Sequence, residues 1–171
     1  MHSTNQKITL RPVAMPSYIG EEPPLEQTLE IDLEMGEFKF IKEPTVIGTG
    51  ASNPCLGLII YDPVNKCAFA AHLYGGMGNP ELNSNYDIIR RGIENFSNCG
   101  TLVAYLCGLG GNPSHLSQEP TTKLVISCGL ADDRIYARWA KNNSHYQSIM
   151  LDIRTGEVNY LEVSDFEFEN Y

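Results

Sequence analysis

The chain has no long apolar run, few basic residues and no paired-cysteine motif, and each lack removes a class of function. Its longest nearly pure apolar stretch, from Leu56 to Tyr61, is interrupted by Gly57 and falls far short of the roughly 18 residues needed to cross a bilayer. No helical membrane span is expected. Only 12 Lys and Arg stand against 21 Asp and Glu, for a net charge of -9. Phosphate-binding surfaces draw on clustered Lys and Arg, so neither nucleic acid nor an anionic membrane is an expected partner. The five cysteines, Cys55, Cys67, Cys99, Cys107 and Cys128, lack Cys-x-x-Cys spacing, which argues against a zinc or dithiol centre. No metal or other cofactor is expected. The first fifteen residues carry Lys7 and Arg11 but no continuous apolar segment with a small-residue cleavage site, which predicts no secretory leader and a reducing, cytoplasmic setting.

What is present points to one folded unit. A chain of 171 residues, 42% of them hydrophobic, is long enough to bury a core without disulfides or metals and short for two domains. Residues 1–27 are polar and broken by Pro12, Pro16, Pro23 and Pro24, which predicts an extended arm ahead of a single domain at 28–171. Leu29, Ile31 and Leu33 alternate with acidic residues, and Phe38 and Phe40 follow Met35-Gly36, a pattern that reads as a hairpin with one wet face. Thr45 to Ile47 then enters a small-residue loop, Gly48 to Pro54. Cys55 to Tyr61 and Lys66 to Leu73 are apolar on both faces and joined by Asp62-Pro63-Val64-Asn65, so they are expected as a central hairpin. Tyr86, Ile89, Ile93 and Phe96 recur at helical spacing. Thr101 to Leu109 is a further buried strand. From His115 to Leu130 the pattern is ambiguous: Leu116 to Leu124 reads as a helix broken at Pro120, and Leu124 to Ser127 as the start of a strand. Arg134 to Trp139, Tyr146 to Ile153 and Glu157 to Val163 are strands, the last two joined by Arg154-Thr155-Gly156. The expected class is α+β, with a mixed or antiparallel sheet folded into a sandwich and one or two helices against it.

One pair of residues could carry chemistry. Cys55 stands where a small-residue loop becomes a buried strand, and His72 lies near the end of the returning strand, so the hairpin brings both toward one open end. A thiol becomes a useful nucleophile when a base stands beside it, and an imidazole can also protonate a departing amine. Against this, free cysteine is among the most buried residue types and a strand-start Cys is usually packing. The other four thiols read as core or incidental.

At these residues the sequence resembles known families. The run Thr49-Gly50-Ala51-Ser52-Asn53-Pro54-Cys55, the turn Tyr61-Asp62-Pro63 and His72 seventeen positions after Cys55 resemble the chemoreceptor glutamine deamidases of bacterial chemotaxis. Ile93-Glu94-Asn95-Phe96-Ser97, Cys99-Gly100, Gly110-Gly111 and Leu116-Ser117-Gln118, with Gly75 three after the histidine, resemble the protein N-terminal asparagine amidohydrolases. The resemblance runs from about Thr45 to Gln118, more faintly through residues 153–158. It implies hydrolysis of an Asn or Gln side-chain carboxamide in a protein or peptide partner, with Cys55 as nucleophile, His72 as base and Thr49 supporting His72 or orienting substrate. Ser52, Asn53, Gly75, Gly110 and Gly111 are the substrate-binding positions it implies, and backbone amides near Cys55 and Gly110 would hold the oxyanion. The competing expectation is a binding module that keeps this fold without turnover, because Pro54 removes one backbone donor beside the nucleophile.

Overall fold

The strand Leu56–Asp62 is buried along its whole length because it separates two cores. In the computed structural model, which describes residues 17–18, 31–51, 55–74, 79–108, 118–139 and 145–164, it is the fifth of ten strands. In chain order these are β1 (Ser17–Tyr18), β2 (Ile31–Leu33), β3 (Phe38–Ile41), β4 (Val46–Ala51), β5 (Leu56–Asp62), β6 (Cys67–Leu73), β7 (Val103–Gly108), β8 (Ile135–Trp139), β9 (His145–Asp152) and β10 (Glu157–Ser164). Two helices, α1 (Asn79–Glu94) and α2 (Gln118–Ser127), lie between β6 and β8 in the chain. None of the helices described is long and apolar enough to cross a membrane.

The strands form two mixed five-stranded sheets. Sheet I runs β1-β10-β9-β4-β2 and sheet II runs β3-β6-β5-β7-β8. Successive side chains of a strand point to opposite faces, and β5 makes the consequence visible. Leu56, Leu58 and Ile60 join Phe69, Ala71 and Leu73 of β6 and Ile89, Ile93 and Val125 of the helices in one core. Ile59 and Tyr61 point the other way, to Ile47, Ile149, Leu151 and Tyr160 of sheet I. The molecule is thus a three-layer α+β sandwich, in the class expected from the strand-rich sequence. Full burial of each such Leu or Ile favours the fold by about 1.5–3 kcal/mol over leaving it exposed.

Four sequence expectations need correction. Residues 31–33 and 38–41 are not a hairpin: β2 pairs with β4 in parallel, whereas β3 pairs with β6 in the other sheet. Between them the turn of residues 34–37 switches sheets. It is closed by Glu37 N donating to Glu34 O, with Gly36 at φ +88, and pinned to β6 by Gly36 N donating to His72 O and His72 N donating to Glu37 O. An alternating pattern says which residues share a face, but not which sheet a strand joins. Second, the presumed loop from Gly48 is strand as far as Ala51, because pairing with β9 supplies the backbone partners that its glycines leave unhindered. Third, Pro120 does not break α2. It is the third residue of that helix, in the first turn, where a missing N–H has no intrahelical partner to lose. Fourth, residues 124–127 are accordingly helix and not strand. Of the N-terminal arm, the described pair Ser17–Tyr18 runs parallel to β10.

Candidate active site

The register of β5 and β6 sets Cys55 and His72 on one face of the hairpin, with no hydrogen bond between the two side chains. Gly57 is directly opposite His72, and Leu56 is opposite Leu73. Continuing that register sets Cys55, immediately before the strand, diagonally across from His72 and on the same face. Such diagonal neighbours are about 7–8 Å apart, and the short Cys55 side chain makes no hydrogen bond to His72 Nε2. That face looks into the space between the sheets, since Cys55 packs in the inter-sheet core and the His72 ring reaches Leu33 of sheet I.

His72 is oriented by the backbone of the opposite sheet. Its Nδ1 is 3.0 Å from the carbonyl oxygen of Leu33. A carbonyl only accepts, so Nδ1 carries a proton and donates it, which leaves Nε2 as the ring's other polar atom. That Nε2 is buried and has no hydrogen-bond partner. The ring is thus held through one nitrogen, with the other left without a partner.

Cys55 is a free thiol with 5% of its surface exposed. Its Sγ donates to Met35 Sδ at 3.7 Å, and Met35 is 63% exposed. Burial pushes the Cys55 thiol above the ordinary range, so at neutral pH it is a thiol and not a thiolate. Attack from this state requires proton removal as the bond forms.

Gly57 sits at the centre of the group. A Cβ there would lie 2.7 Å from Cys107 Sγ and 3.3 Å from Thr49 Cγ2. Cys107 therefore occupies the space that glycine leaves, and burial, partly opposed by the Gly57 backbone, pushes its thiol up to about 12. It is inert packing. Thr49 is fully buried on β4, its hydroxyl donating to Gly50 O at 3.4 Å and its methyl against the Gly57 position. The orienting partner of His72 is thus the Leu33 carbonyl, while Thr49 forms the wall opposite. Ser52, Asn53, Gly75, Gly110 and Gly111 lie outside the described residues. The other cysteines are remote from this group or built into packing. Cys67 opens β6 at the far end of the hairpin, and Cys99 and Cys128 pack against the helix-side core.

Three contributors went unread in the sequence. Leu33 acts through its carbonyl, which no side-chain pattern reports. Gly57 did carry a signal, since a glycine inside an apolar strand often marks close approach of another group. Gln147 carried one too: it shares the inward phase of Ile149 and Leu151, where a polar residue is out of pattern. It is fully buried, and its Oε1 accepts from Gly108 N at 2.8 Å.

An open recess of about 250 Å³ lies at the opposite end of the hairpin, lined by Phe40, Lys42, Asp62, Asn65, Cys67 and Phe96 among others. It is remote from Cys55 and holds no thiol–imidazole pair. Among the described residues, no group of three or more His, Cys, Asp or Glu side chains is placed to hold a metal ion.

Neither a family model nor a curated protein matches the chain. Among solved structures it is similar to the Bacillus licheniformis hypothetical protein YfiH, at 15% identity and a TM-score of 0.46, over 63% of this chain and 51% of that one. The likeness is one of fold, and the chain spans about half the length of that neighbour.

Proposed function

We propose that the protein hydrolyses the side-chain carboxamide of Asn or Gln in a protein or peptide through a thioester on Cys55. The observation that carries this reading is the His72 ring, whose Nδ1 is committed to Leu33 O while a buried, unpartnered Nε2 shares a face with Cys55. The Cys55 sulfur attacks the amide carbon as His72 Nε2 takes the thiol proton. Collapse of the tetrahedral adduct breaks the C–N bond, and His72 returns the proton to the departing ammonia. Water, deprotonated by the same nitrogen, then cleaves the thioester to a carboxylate and restores the thiol. Burial raises the Cys55 thiol, so this route depends on His72 taking the proton at the moment of attack.

The burial of Cys55, with its thiol hydrogen-bonded to Met35, favours the second reading, a module that binds a protein partner without turnover. Ammonia release separates the two. Peptides carrying internal or N-terminal Gln and Asn, incubated with the full chain, are expected to release ammonia and gain the mass of deamidation, with Cys55→Ala lowering the rate at least about a hundredfold. Release at the same rate from Cys55→Ala contradicts the thioester route, and no release from either protein favours the binding module.

A further inference from the structure

Two buried polar atoms are left without partners at the Cys55 end of the inter-sheet space. One is His72 Nε2; the other is the side-chain nitrogen of Gln147. The orientation of the Gln147 amide is fixed by chemistry. Gly108 N is a donor, so the atom 2.8 Å from it must be the Gln147 oxygen, and Nε2, with two N–H groups, is the one left over. The backbone places this donor at the end of the inter-sheet space where Cys55 lies. Gln147 opposes Ala51 at the end of β4, and Gly108, which holds it, opposes Leu56, the residue after Cys55. Gln147 and Cys55 are both on inward-facing positions. A buried amide N–H without an acceptor is costly to keep, and native proteins rarely keep one without use.

We infer that Gln147 is a catalytic residue whose Nε2 donates to the substrate carbonyl oxygen and to the oxyanion that forms on it. The inference rests on the carboxamide reading of Cys55 and His72 and extends it. A carboxamide brings an acceptor oxygen and a leaving nitrogen, and the site offers each its complement: an N–H from Gln147 for the oxygen and the base His72 for proton traffic to the nitrogen. The donor is supplied by a side chain from the opposite sheet, in a chain where Pro54 leaves one fewer backbone N–H beside the nucleophile. Substrate polarity follows. The carbonyl oxygen points toward β9 and the departing nitrogen toward β6.

Two variants test this. Gln147→Met removes the amide, and Gln147→Glu keeps an acceptor for Gly108 N while removing the N–H groups. With thermal unfolding measured on both, each folded variant is expected to lose about 10²–10³-fold in kcat for ammonia release from a Gln or Asn peptide, with KM nearly unchanged. The second arm needs no turnover. In the Cys55→Ser protein, titration with acetyl-glutamine N-methylamide is expected to move the Gln147 side-chain N–H resonances downfield in isotope-edited NMR, those resonances being identified by their loss in Gln147→Met. Turnover that is Cys55-dependent but equal in wild type and the folded Gln147 variants overturns the inference and leaves the thioester reading intact. A Gln147 amide that moves on titration while no ammonia is released overturns the thioester reading and leaves Gln147 as a carboxamide donor. An unmoved amide overturns the inference.

Discussion

Gly57 has no side chain, and that is its contribution. In the middle of an apolar strand it creates the gap into which Cys107 Sγ and the Thr49 methyl fit, so the two sheets meet closely where Cys55 and His72 lie. Gly57→Ala puts a carbon 2.7 Å from Cys107 Sγ, and overpacking of this kind is expected to destabilise the protein by about 1–3 kcal/mol. Adding Cys107→Ala removes the clashing sulfur. The double variant is therefore expected to be less destabilised than the sum of the two single changes in denaturant unfolding, and strict additivity would show that the contact is not the cause. At this scale the sequence was legible for side chains and not for backbone groups. Cys55 and His72 stood out by residue type, and their hairpin register followed from the turn between them. The Leu33 carbonyl that orients His72 did not, because it belongs to a residue 39 positions away whose strand joins the other sheet.

Among elements, the β5–β6 hairpin is the one the sequence described most fully. Asp62-Pro63-Val64-Asn65 forms the turn, with the Asp62 carboxylate accepting from the backbone N–H groups of Val64 and Asn65 and from Asn65 Nδ2. Burial pulls the Asp62 carboxyl upward, but the Asn65 side chain with the Asn65 and Val64 backbones outweighs it, and the net direction is down. Asp152 is lowered chiefly by the side-chain bond from Arg154, against burial, and opens the turn from β9 to β10. A carboxyl held below its unfolded value of about 3.9 contributes stability above that pH, and the contribution fades as pH falls through the folded value. Thermal midpoints are accordingly expected to be nearly flat from about pH 7 to 5 and to fall below about pH 4. Asp62→Asn is expected to lower the midpoint at neutral pH and make the acid fall shallower; an unchanged acid profile would show that this turn carries none of the dependence. The 31–41 segment was legible in its strands and misleading in their pairing, since two short alternating runs beside a glycine turn fit a hairpin and a sheet-to-sheet crossing equally well. The crossing is decided by the hydrogen bonds of Gly36 and Glu37 to His72, which lie outside the segment.

For the whole molecule, layer order explains why the site is where it is. Strands buried on both faces forced sheet II to lie between the helices and sheet I, so α+β sandwich architecture was readable from composition and periodicity. The stacking of β4 and β9 over β5, β6 and β7 was not, because nothing in a strand's own residues names its partner in the next layer. That stacking is what sets Thr49 against Gly57, Gln147 on Gly108 and the Leu33 carbonyl on His72. One end of the sandwich accordingly collects Cys55, His72 and Gln147, while the recess beside Asp62 lies at the other. The central claim is covalent: Cys55 forms a thioester because His72 takes its proton. Rapid acid quench of the full chain mixed with a Gln or Asn peptide, followed by intact-mass and fragment analysis, tests it directly. The account predicts an adduct of peptide mass less ammonia on Cys55 in the wild type, forming at least about 10²-fold more slowly in His72→Gln. Ammonia released with no adduct on Cys55, or an adduct forming equally fast without the imidazole, would contradict it.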